Sequence, residues 1–178
     1  MREFGRASFS IRGAPRPLRL IYGAFLVLIG PGFLTQMGFQ IGRIGVTPHA
    51  IAVYYRGSEA GNVMAFPKTF GQLLEVTHAH AFVMGIVFLI LAHLFIATSA
   101  SNRFKAIVLA GTFVGTLGDL AAPWLVRYGA AGWAWLALAA WGLQATGNVL
   151  LIVVSGWECF GGHSTTNDPP RGDRSDDV

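Results

Sequence analysis

Apolar positions along the chain gather into four long runs, at residues 18–39, 70–98, 106–126 and 132–155. An apolar run of about 18 residues or more is long enough to cross a bilayer as a helix, so the pattern predicts four spans. The first contains Gly30-Pro31-Gly32 near its middle, where a kink or a close helix contact is expected, and it ends as polarity rises through Gln36, Gln40 and Arg43. Residues 41–69 are too polar and too interrupted by Gly and Pro to span. Their Tyr54-Tyr55 pair, with Arg56, Glu59 and Lys68, predicts a structured cap or a short helix at the interface. By contrast, the second and third spans are joined by a short polar turn at 101–105. Gly111, Gly115 and Gly118 give the third span a small-residue face suited to tight packing, and Trp133 and Trp135 open the fourth at an interfacial belt. The expected fold is all-α, a four-helix transmembrane bundle.

Composition supports the same class: 53% of residues are apolar, 12% are charged, and mean hydropathy is +0.51. The single cysteine, Cys159, excludes an internal disulfide and a CxxC motif. A formal charge of +4 does not point to nucleic acid, because Lys and Arg stand at the ends of apolar runs. Arg2, Arg6, Arg12, Arg16, Arg19, Arg103, Lys105, Arg171 and Arg174 fall on one side, against Arg43, Arg56, Lys68 and Arg127 on the other. The positive-inside rule puts both termini and the 101–105 turn in the cytoplasm, with the 41–69 loop outside. Residues 1–17 then read as a basic cytoplasmic tail, 18–157 as the membrane domain and 158–178 as a disordered polar tail. A basic start before an apolar run also fits a transit or signal segment, but the first run is too long for a signal and lacks a cleavage pattern. The expected location is a bacterial cytoplasmic membrane.

Chemistry concentrates in the second span, which carries Glu75, His78, His80 and His93. Ionisable groups within spans are costly and usually mark a site. At about 100° per residue, Gly71, Glu75, His78, Phe82, Gly85, Leu89 and His93 share one face, and His80 points nearly opposite His78. In depth, Glu75, His78 and His80 lie in the outer third, with His93 roughly 22 Å further in than His78. An outer polar cluster of Gln36, Glu75, His78 or His80, and Asp119 is expected, together with an inner pairing of His93 with Asn148. The bland alternatives are interhelical hydrogen bonds for His78 and His80, snorkelling for Glu75, and headgroup contact for His93. Asp119 is the hardest to dismiss, having apolar neighbours on both sides.

Histidines thirteen to fifteen positions apart on one apolar helix suit stacked b-type haems, one in each leaflet. The other spans hold no histidine, so the second axial bond would have to come from a dimer, a partner subunit or Met37. The run THAHAFVMGIVFLILAHLF at 77–95 resembles a helix of the haem-copper oxidase catalytic subunit. That resemblance implies that His78 holds the oxygen-reducing haem and His80 the low-spin haem. No adjacent copper-binding His pair and no His-Pro-Glu-Val-Tyr run accompany it, and no catalytic residue set emerges.

Three functional classes follow. The first is an accessory membrane subunit linked to electron transfer, binding haem b or a transition metal through His78, His80 or His93, near a quinone. The second is an interaction subunit without a cofactor, docking other membrane subunits or a second copy. The third is a small proton-coupled carrier using Glu75, His78 and Asp119.

Overall fold

The computed structural model describes residues 10–58 and 64–161, and among these residues it is all-helical apart from one isolated bridge, in which Ser58 and Ala65 exchange backbone hydrogen bonds. Four of its helices are long and apolar enough to cross a membrane. α1 (Arg16–Phe39) runs on through a π-helical turn at Gln40–Ile44, and the short α2 (Pro48–Arg56) follows. Then come α3 (Phe70–Ile96), α4 (Asn102–Trp124) with a second π-helical turn at Leu125–Gly129, and α5 (Ala134–Phe160).

Helix starts follow local chemistry. Thr47 accepts a hydrogen bond from the Ala50 amide and Pro48 pre-sets the first turn, so the expected short helix forms as α2. Thr69 and Gln72 cap α3 reciprocally, satisfying two amides that hydrocarbon could not. Ser101 caps α4, so the polar 101–105 segment is the first turn of that helix rather than a linker. Over α2, Arg56 donates to the carbonyls of Val126 and Gly129, and Arg127 donates to that of Lys68. Those bonds tie the long loop onto the end of α4.

The tightest pair is α4 with α5, and the glycine face explains it. A Cβ added at Gly115 would lie 2.7 Å from the Gln144 amide nitrogen, and one at Gly118 2.8 Å from the Ala140 methyl. Such backbone proximity tolerates only hydrogen, as expected of small-residue helix contacts. Gly30 and Gly32 behave otherwise: α1 continues through Pro31 and no neighbour approaches either glycine. The close contact of α1 lies near its start, where Gly23 faces the Phe160 ring and Leu26 is buried. Arg19 fixes that end by donating Nε (3.0 Å) and Nη2 (2.6 Å) to the Cys159 carbonyl. Beyond it α1 leaves the bundle, and Leu34 is 70% exposed.

Two boundaries differ from expectation. Ile11, assigned to the basic tail, is fully buried and its amide donates to the Ala97 carbonyl. Glu158, assigned to the polar tail, sits in the last turn of α5 and is 3% exposed. Its carboxylate accepts from the Ser99 amide at 2.6 Å and from the Ser99 hydroxyl, with Arg12 3.7 Å away. Local polarity placed both residues outside, and tertiary contact overrode it. Residues 1–9, 59–63 and 162–178, which include Glu59 and most of both tails, lie outside the described residues.

Two apolar cores result. One, around Leu91, Phe95 and Leu151, lies at the end of the 97–101 turn; the other, around Ile51, Leu73, Ala122 and Val126, lies under α2. Between them runs a band of polar side chains.

Candidate functional site

Asp119 is the hub of that band. It projects from α4 with its side chain 13% exposed. Its Oδ1 accepts the indole N–H of Trp141 on α5 at 2.7 Å, and its Oδ2 lies 3.1 Å from Nε2 of His80 on α3. One carboxylate therefore joins three spans, and both of its oxygens are engaged. Two donors on a carboxylate offset much of the cost of holding charge in a low-dielectric setting. In the tautomer that carries its proton on Nε2, His80 donates to Asp119 and keeps Nδ1 as an acceptor. Further bonds extend the band: Trp124 Nε1 donates to Thr77 Oγ1 at 2.8 Å, and Gln144 Nε2 to Thr116 Oγ1 at 3.3 Å.

The band faces a cleft of about 680 Å³ between α1, α3 and α5. Its walls are largely apolar, including Phe33, Met37, Val83, Val87 and Leu138, with His80, Trp141, Gln144 and Asn148 among the polar lining. Because α1 splays from the bundle, the cleft opens sideways, toward what would be lipid. A second cavity of about 540 Å³ lies on the α2 side of the pair and is lined by Arg43, Tyr54, Tyr55, Lys68, Glu75 and Asp119 among others; His80 borders both. Burial is the largest cause holding the Tyr55 phenol well above its usual range, reinforced by Tyr54 and then by Asp119.

The expected outer cluster is thus partly assembled. Of the two candidate histidines the structure selects His80, the one on the opposite face from Glu75. Glu75, His78 and His93 share an exposed face of α3, as the periodicity predicted. The His78 ring packs edge-on against Phe82 at 5.0 Å, and no bond joins Glu75 or His78 to Asp119. Gln36 is exposed and bonds Gln40 at 3.4 Å rather than the cluster. The His93–Asn148 pairing does not form: His93 Nδ1 bonds the Leu89 carbonyl at 2.8 Å, whereas Asn148 is buried with its Nδ2 lacking a partner. Of the expected relay, Glu75 and Asp119 line the same second cavity, whereas His78 is not part of its lining.

Sequence reasoning missed Trp141, Gln144 and Trp124. The signal was present in the fourth span, where Trp141, Gln144 and Asn148 recur at helical spacing and set a polar stripe into an apolar helix. Among the described residues no group of three or more His, Cys, Asp or Glu is placed to hold a metal ion. A haem or metal on His78 or His93 would have to lie between this chain and another, since both face outward.

A family model described as a transmembrane helical domain matches residues 45–166, which takes in α2 to α5 and the whole His80, Asp119, Trp141 and Asn148 set but not α1. No curated protein and no solved structure matches the chain. With four spans in the structure and a match over more than half its length, the chain is an integral membrane protein and belongs to the Aq_1264_TM family of transmembrane helical domains.

Proposed function

We propose that the protein is a non-catalytic membrane subunit whose task is to hold a lipid-soluble small molecule in the cleft between α1, α3 and α5. The observation that carries this reading is the His80–Asp119–Trp141 cluster set beside an apolar, laterally open cleft. Pockets of this kind, apolar walls with a few convergent polar groups, bind and orient small ligands. Entry from the side suits a molecule already dissolved in the bilayer. A redox carrier is the member of that class through which the chain would serve electron transfer as an accessory subunit.

Protein washed in detergent, extracted with organic solvent and measured by mass spectrometry tests the reading. One amphipathic molecule per chain is expected from the native protein. Gly142→Trp should lose it, because Gly142 lines the cleft, has open space beside it and bonds nothing in the cluster. Recovery of nothing above the detergent blank, or an unchanged yield from Gly142→Trp, contradicts the reading.

A second reading keeps haem b on the exposed face of α3, between this chain and a second copy or another subunit. It is favoured by His93, whose Nδ1 is held by the Leu89 carbonyl, leaving Nε2 directed outward as a ligand atom. Purified protein lacking a Soret band removes it.

A further inference from the structure

Resting on the cleft reading above, the chemistry of the two ends of the cleft narrows its ligand. At one end stands His80. Its Nε2 is committed to Asp119, and its Nδ1 has no partner among the described residues. A neutral imidazole with its proton on Nε2 presents Nδ1 as an acceptor, so this end asks for a hydroxyl donor.

At the other end stands Asn148. It lines the cleft, is 3% exposed, and its Nδ2 has no hydrogen-bond partner. The amide oxygen and nitrogen exchange places by a half-turn of the terminal torsion, so either can be offered to the cleft. A buried amide without a partner is costly, and hydrocarbon supplies no water to satisfy it. This end asks for an oxygen that accepts.

α5 gives the difference in level between the two ends, because Trp141 shares Asp119 with His80 and so marks the level of the cluster on that helix. Asn148 follows Trp141, the other donor to Asp119, by seven residues, which is two turns or about 10 Å along the helix. A six-membered ring with oxygens at para positions, plus a hydrogen bond of about 2.8 Å at each end, spans a comparable length. A long-chain alcohol or a sterol offers only one polar end. An anionic lipid headgroup finds no Lys or Arg in the cleft lining, where His80 is the one ionisable side chain among the described residues. The apolar walls and the lateral opening leave room for a hydrocarbon tail.

We infer that the cleft is a site for a quinol-type ligand, a ring bearing two para hydroxyls and an apolar tail, with one hydroxyl donating to His80 Nδ1 and the other oxygen accepting from Asn148. Only binding is assigned; electrons would be exchanged with another subunit. Asn148 is the residue that separates this class from singly polar lipids.

Anaerobic equilibrium binding of reduced decylubiquinone and of its dimethyl ether to the full-length protein in detergent tests the assignment. The native protein should bind the quinol saturably, with the ether about tenfold or more weaker, since capping the hydroxyls removes the donor to His80. Asn148→Leu, close in size, should weaken quinol binding by about tenfold or more, because it removes the donor to the second oxygen. Equal binding of ether and quinol, or of native protein and Asn148→Leu, overturns the assignment. If the quinol fails to bind while Gly142→Trp still expels the extracted molecule, the quinol class is wrong and the cleft reading stands. If Gly142→Trp changes nothing and the quinol fails to bind, both fall.

Discussion

A single carboxylate holds the middle of this bundle. Asp119 receives the Trp141 indole and pairs with His80, so removing it strands two donors from two different helices. Asp119→Leu should therefore destabilise the protein by about 3 kcal/mol, as for other half-broken buried pairs, read as a lowered thermal midpoint in detergent at neutral pH. Asp119→Asn keeps an acceptor for Trp141, and the imidazole can change tautomer to meet the amide, so its cost should be nearer 1 kcal/mol. Equal midpoints for Asp119→Leu and the native protein would show that the cluster anchors nothing. At this scale the sequence went some way: an aspartate flanked by apolar residues announced itself, and His80 was among its named partners. Helical periodicity alone cannot say which face of one helix another helix will cover. For that reason Glu75, an equally good partner on depth, shares a cavity with Asp119 without bonding it, and His78 stands outside that lining.

At the scale of elements, two contacts deserve separate tests. The α4–α5 seam depends on glycine, since any side chain at Gly147 would run into that of Thr112. Gly147→Val should cost about 3 kcal/mol by overpacking, whereas Gly142→Ala, with open space beside it, should be neutral or slightly stabilising through helix propensity. Folded yield and thermal midpoint measured side by side would show the contrast, and equal values would mean that the seam does not govern stability. α2 offers a pH test. The Tyr55 phenol is buried under the loop and titrates above its usual value near 10. A raised acid favours its neutral form, so its contribution to stability is complete below pH 10 and is lost as pH climbs through the folded value. Ultraviolet titration should find one tyrosine withheld in the folded protein and released on unfolding, and Tyr55→Phe should abolish that difference. Titration of Tyr55 with the exposed Tyr128 near pH 10 would contradict this placement.

For the whole molecule, four spans, the short α2 and the small-residue seam were legible in the sequence because each rests on local physics: length of apolar run, capping residues and glycine spacing. What was not legible depended on contact at long range. The burial of Ile11 and Glu158 and the departure of α1 from the bundle have no local signature, and the departure of α1 creates the cleft. Trp141 had a signal in its polar stripe, yet its partner could be known only once α4 and α5 were placed together. The proposed site is therefore a lateral cavity bounded by a helix that touches the rest chiefly at one end. Its most direct test is a cryo-electron microscopy map of the protein in lipid nanodiscs, at a resolution that shows side chains. Elongated density is expected between α1, α3 and α5, with its head within hydrogen-bond distance of His80 and its tail toward the bilayer. A cleft closed by inward movement of α1, or filled only by disordered acyl chains that do not contact His80, would contradict it.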